Sequence, residues 1–255
     1  AAITVVVLPA NSPVAEAPLG TEDGLNPSAD GEAMVLQLYA PGKSHVFLVG
    51  DLTEWQIQQE YLMNVTPEGD RFWIELSGLN PAQEYRYQYH VMPNDARYAD
   101  PYAEKHLDYW NDPWIPESTY PFLLGFPEEA DSQAPVSVFQ TGGADFEWTD
   151  GDFDRPAQEN LVIYELLVRD FSEERTFDFI IDTLDYLASL NVTALELMPI
   201  NEFNGNDSWG YNPSFFFAVD KAYGPKAKLQ ELVNACHERG ISVILDMVMN
   251  HSDWP

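Results

Sequence analysis

Apolar and polar positions along the chain fall into two regimes. From residue 34 to about 140 the apolar runs are short and mostly alternate: MVLQLYA, HVFLVGD, RFWIEL, EYRYQYHV and VSVFQTG. A period of two marks a strand with one face buried. In EYRYQYHV it sets Tyr85, Tyr87 and Tyr89 on one face and Glu84, Arg86 and Gln88 on the other. PEGD at 67–70 supplies a turn ahead of RFWIEL. Short strands separated by turns predict a small β-sandwich. Before them, AAITVVVL reads as one strand and the rest of residues 1–30 as loop.

After residue 160 the pattern changes. LVIYELLV is a continuous apolar strand. TFDFIIDTLDYLASL then carries apolar residues at 177, 180, 181, 184, 187 and 190, which is helical spacing. VTALELMPI is a second buried strand, and a loop rich in Asn, Gly and aromatics is expected from 201 to about 225. AKLQELVNACHERG predicts another amphipathic helix, closed by Gly240 at C′. ISVILDMV is a third strand, read as buried on both faces. Strand, helix, strand, helix, strand implies right-handed βαβ units and a parallel sheet. GGADFEWTDGDFDRPAQEN reads as the linker, so the expected domains are 1–150 and 151–255.

Composition narrows the partners. Lys and Arg total 12 against 42 Asp and Glu, a net charge of -30. Such a surface repels phosphate backbones and anionic head groups, so nucleic acid is not an expected partner. A neutral substrate such as a sugar meets no such barrier. The single cysteine, Cys236, allows no intrachain disulfide and reads as a buried inert thiol. AAITVVVL is too short to span a membrane and lacks the basic start of a signal peptide. It also suits the first strand of a mature exported protein, which leaves an extracellular or periplasmic setting as the expectation.

The third strand ends in an unusual way. In ISVILDMVMNH an apolar run gives way to Asp246, Asn250 and His251. A carboxylate in such a strand is costly unless paired, hydrogen-bonded or near solvent. In parallel α/β folds, active groups gather at the C-terminal ends of strands. NGNDSWGYNP follows the second strand and opens on the same face, which makes that end the candidate site.

Taken in order, these segments resemble the alpha-amylase superfamily of glycoside hydrolases. VIYELLVRDF is similar to the family's first barrel strand, and LASLNVTALELMPI to its first helix end and second strand. SWGYNPSFFFAVDKAYG resembles the loop that carries its substrate-stacking tyrosine, and DMVMNH fits its D-x-x-x-N-H signature. APGKSHVFLVGDLTEW is similar to the immunoglobulin-like module that precedes the barrel in isoamylases, branching enzymes and some bacterial amylases. There G-D-F-N-x-W is common; here Leu52 and Thr53 replace Phe and Asn. The implied architecture is multidomain. An all-β immunoglobulin-like sandwich precedes an incomplete α/β (β/α)8 TIM barrel of which only the first three strands are present.

The resemblance also implies roles. Tyr211 would stack on glucose at the cleavage subsite, and His251 would hydrogen-bond the hydroxymethyl oxygen. Asp246 would be a scaffold paired with an arginine near the nucleophile. Asn250 stands where many relatives ligate calcium. Trp209 reads as structural. Glu165 and Glu196 would make a carboxylate pair by chemistry alone, but the family does not use these strand positions as its catalytic acids. Trp55 aligns with a glycan-contacting tryptophan of some starch-binding modules. Such binding needs a second platform, for which VMPNDARYADP offers Tyr98; packing is the other reading of Trp55.

The implied activity is retaining hydrolysis of α-glucans such as starch, glycogen or maltooligosaccharides. Branching, debranching and trehalose-releasing chemistry belong to the same superfamily, and a non-catalytic glycan-binding protein is the alternative from another class. The family's nucleophile, acid/base and third carboxylate follow its fourth, fifth and seventh strands. No catalytic residue is therefore expected in this chain, which alone is expected to be inactive. The remainder of the barrel is expected as further sequence or a second chain.

Overall fold

The structure, a computed structural model, describes residue 9 and residues 11–143 and 145–253. The strand expected in AAITVVVL lies outside the described residues. The chain divides into two compact units. One takes Ala1–Tyr109 and Phe126–Ala144, the other Trp110–Gly125 and Asp145–Pro255. The stretch at 110–125, which composition marks only as rich in proline and aromatics, thus belongs with the parallel strands.

Among the described residues the first unit holds nine strands: β1 (Gly24–Pro27), β2 (Ala33–Tyr39), β3 (His45–Gly50), β4 (Asn64–Val65), β5 (Arg71–Ser77), β6 (Glu84–Met92), β7 (Ala96–Tyr98), β8 (Lys105–Leu107) and β9 (Val136–Gln140). They form two sheets, ordered β1-β2-β5-β4 and β3-β6-β9-β8, with β7 pairing β6. Every pairing among them is antiparallel. One core lies between the sheets. Leu36, Leu38, Phe72 and Ile74 enter it from the first, and Val46, Leu48, Tyr87 and Tyr89 from the second. The tyrosine face read from EYRYQYHV is the core face. Its opposite face is not solvent: Gln88 is fully buried and donates to the carbonyl of Ala134 at 2.8 Å.

Asp100 shows how this core tolerates a charge. It is buried, and the Tyr87 and Tyr89 hydroxyls donate to its Oδ2 at 2.8 and 3.0 Å. Burial raises its pKa above the ordinary carboxylate value, although these hydrogen bonds act the other way.

The second unit is built on β10 (Ile163–Leu166), β11 (Ala194–Leu197) and β14 (Ser242–Leu245), a parallel three-stranded sheet in that order. A one-turn helix α1 (Val168–Phe171) follows β10, and α2 (Phe177–Ser189) returns the chain to β11. Thr176 caps α2 by accepting the Phe179 N–H at 3.3 Å. Phe177, Ile180, Leu184 and Leu187 are its buried stripe, as the spacing predicts. Helix α3 (Lys226–Glu238) leads into β14. Gly240 ends it at φ 72°, and the Ile241 N–H reaches back to the Cys236 carbonyl at 2.9 Å. Cys236 is buried, and burial pushes its thiol up to about 12, so it is inert at neutral pH.

Two expectations need correction. The stretch 201–225 is not all loop. It contains an antiparallel hairpin, β12 (Asn201–Phe203) with β13 (Pro213–Val219). PSFFFAV is a strand because its β-favouring aromatics find a partner in Asn201–Phe203. Strand β14 is also not buried on both faces. It is an edge of the described sheet, and Leu245 is 43% exposed. The face carrying Leu195, Leu197 and Val243 packs on α2 and α3 residues such as Leu184 and Leu232, and on the other face Ala194 and Ser242 are buried while Ile244 is half-buried.

Candidate functional site

The parallel register sets the ends of β10, β11 and β14 level, with Leu166, Leu197 and Leu245 side by side. Asp246 follows immediately, and its N–H still bonds the Leu197 carbonyl at 3.0 Å. It therefore stands at the C-terminal rim with a fixed backbone. Glu165 and Glu196 lie one position before the rim on neighbouring strands, in register with each other.

The loop between β12 and β13 folds back over this rim. Gly210 makes that possible. Its φ is 85°, and a Cβ there would lie 2.2 Å from the Pro199 carbonyl oxygen. Ser208 donates to Asn212 and accepts the Gly210 N–H at 3.0 Å, which closes the loop on itself. Arg169, just past β10, reaches Asp207 at 2.9 Å and ties the loop to the first strand.

These constraints deliver Tyr211 to Asp246. The phenol donates to Asp246 Oδ2 at 2.6 Å. That bond to a carboxylate, aided by partial burial and by the charges of Asp246, Glu165 and Glu196, pushes the phenol up to about 12. His251 comes from the other side. Its Nε2 lies 2.9 Å from the Tyr211 carbonyl oxygen, so this nitrogen donates, and in the neutral ring Nδ1 is left as an acceptor. Tyr211, Asp246 and His251, separated by up to 40 residues, thus form one hydrogen-bonded group. Tyr211 remains 42% exposed and Trp209 beside it 59%. The group offers an aromatic face, a carboxylate and an imidazole at an open strand end.

The other expected positions fall elsewhere. Asn250 is exposed past β14. Among the described residues no three His, Cys, Asp or Glu side chains gather as a metal site would require, so Asn250 brings no acidic ligand set with it. Trp55 lies in the first unit and is 4% exposed. Its indole N–H donates to Asp51 at 3.3 Å, and Asp51 is clamped by the Arg86 guanidinium. The ring packs inside the module and has no face to offer a surface glycan. Tyr98 pairs across to Tyr89 and is part-buried against the same core.

Sequence reasoning missed a buried charge cluster next to the site. Lys221, two residues past β13, is buried with Glu202 of β12 and with Asp112, which it meets at 3.3 Å. Burial opposes the charge on Lys221, but Glu202, Asp112 and Asp220 more than offset this and its pKa rises. The polar pair Asp220-Lys221 after an apolar run was a signal for it. The partner Asp112 is too distant in sequence to infer.

Residues 149–254 match the family model described as alpha amylase, catalytic domain. The matched segment, somewhat less than half of the chain, supports the alpha-amylase superfamily. Malto-oligosyltrehalose trehalohydrolase of Saccharolobus solfataricus is 46% identical over 141 residues, covering 52% of this chain and 25% of that protein. Alpha-amylase MalA of Haloarcula japonica is 43% identical over 104 residues, covering 39% of this chain and 16% of its own. A crystal structure of a provisionally assigned alpha amylase from Salmonella typhimurium superposes with TM-score 0.70 at 25% identity, over 91% of this chain and 34% of that one. The chain therefore spans a quarter or less of the first of these relatives' lengths and about a third of the solved one. The superfamily match contains the whole Tyr211, Asp246 and His251 group.

Proposed function

We propose that the full-length protein is a retaining glycoside hydrolase acting on α-glucans. Residues 163–245 supply the first three strands of its (β/α)8 barrel, and the first unit is an immunoglobulin-like module. The observation that carries this reading is the Tyr211–Asp246 bond at the C-terminal rim of a parallel sheet, within a segment that matches the amylase catalytic domain. Sugars present an apolar C–H face, which a ring such as Tyr211 covers well. With Nε2 engaged, His251 Nδ1 is the atom left to accept a hydroxyl from the same sugar. Asp246 holds the tyrosine in place and keeps a second oxygen for a cationic neighbour. The nucleophile and the acid/base come from strands other than these three. One carboxylate would attack the anomeric carbon while the other protonates the leaving oxygen and then activates water. Asn250 would contribute one side-chain oxygen to a calcium ion if further ligands lie outside the described residues.

Incubating the full-length protein with soluble starch tests this. New reducing ends and shortened chains are expected; unchanged chains under conditions where the protein stays folded would count against it. The trehalohydrolase relative favours a narrower reading, cleavage next to a trehalose unit at the end of a maltooligosaccharide. Free trehalose among the products would select it. Trp55, one of the two grounds for the non-catalytic alternative, is buried and gives it no support.

A further inference from the structure

Residues 110–125 present large aromatic rings to water: Trp110 is 64% exposed, Trp114 79% and Phe122 87%. Isolated exposed rings need no explanation, but three within 13 residues concentrate exposed aromatic surface on one short segment. The segment is also held unusually firmly. Asp112, between the tryptophans, is buried against Lys221. Pro113, Pro116 and Pro121 restrict the backbone, and Phe122 sits at φ 58°, a conformation that a bulky residue adopts only when its surroundings impose it. A mobile loop would need none of this.

The segment is tied to the candidate site. Asn206 donates to the carbonyl of Asn111 at 2.7 Å, and Asn206 belongs to the loop that carries Trp209 and Tyr211. The two tryptophans stand one position before and three positions after Asn111, which holds the site loop. We infer that Trp110 and Trp114 form a second α-glucan platform, continuous with the Tyr211 site, that takes the part of a long chain lying beyond the cleaved linkage. An uncharged polymer suits it: the chain carries a net charge of -30, and stacked rings read sugar faces without charge. Preorganisation by the Lys221 cluster removes the ordering cost that a flexible loop would impose on binding. The inference rests on the α-glucan reading above.

The test uses full-length protein and maltooligosaccharides with sulfur in place of the glycosidic oxygen, which resist cleavage. Titration calorimetry compares a trimer with a heptamer. The wild type should bind the heptamer about tenfold more tightly than the trimer, the size expected of one or two stacked rings. That ratio should fall towards one in the W110A/W114A double variant and return in W110F/W114F, which keeps aromatic rings. A ratio that survives in the double variant overturns the platform and leaves the α-glucan reading standing. So does a lowered melting temperature with the ratio intact, which would show that the rings pack against protein. Wild-type protein that binds neither oligomer overturns the α-glucan reading and this inference with it.

Discussion

Asp246 ends an apolar strand, and its partner explains why it is tolerated there. The Tyr211 phenol donates to it at 2.6 Å, near solvent rather than in the core. The bond runs both ways: the carboxylate raises the phenol to about 12. Asp246→Asn should therefore bring Tyr211 back towards the ordinary tyrosine value. An ultraviolet pH titration read as a difference against Tyr211→Phe would show it; an unmoved phenol would mean that burial, not Asp246, is responsible. Tyr211→Ala should reduce kcat/KM on maltooligosaccharides by about tenfold or more, since a stacked ring contributes roughly 0.5–1.5 kcal/mol beyond its buried area. Asp100 makes a pH prediction in the other unit. Its folded pKa is raised, so the folded state holds that proton more tightly than the unfolded chain. Its contribution to stability is greatest at low pH and is lost as pH rises from about 3.8 through the folded value. In urea melts at pH 4 and pH 7, Asp100→Asn should gain on the wild type at the higher pH. An equal difference at both pH values would show that Asp100 does not titrate on folding.

Whole elements divide by how local their causes are. Helices α2 and α3 were legible because their stripes, the Thr176 cap and the Gly240 stop all lie within each helix. Strands β10, β11 and β14 were legible as apolar runs, although not the exposure of Leu245. The β12–β13 hairpin was not, because PSFFFAV is a strand only through pairing with Asn201–Phe203. Nor was the placement of residues 110–125, which depends on Asp112 meeting a lysine over a hundred positions later. That cluster carries a stability prediction. Lys221→Met removes the cation that Glu202 and Asp112 share, which should cost about 3–5 kcal/mol. A chemical melt of the second unit measures it, and a loss below about 1 kcal/mol would show that these carboxylates are relieved by water or protonation.

At the scale of the molecule, the site was legible where a motif carried it and illegible where exposure decided. Tyr211, Asp246 and His251 are singled out by SWGYNP and D-x-x-x-N-H, and the last two lie within hydrogen-bond reach of the first, although the bonds joining them were not foreseen, and no pattern in GDLTEW shows that Trp55 is 4% exposed. The net charge of -30 acts on the whole chain through self-repulsion. Raising salt from about 0.1 to 1 M shortens the screening length from about 10 to 3 Å, so the melting temperature should rise with added sodium chloride. A flat response would show that the acids are neutralised locally. No helix among the described residues is long and apolar enough to cross a membrane. If the Tyr211 group serves a retaining α-glucan hydrolase, as proposed, cleavage keeps the configuration at the anomeric carbon. Proton NMR of the anomeric signals, followed from the first minutes of maltooligosaccharide cleavage by the full-length protein, tests it most directly. Retention requires that the new reducing end appear first as its α-anomer and only later equilibrate with the β-anomer. A β-anomer appearing first, or no cleavage at all, would contradict it.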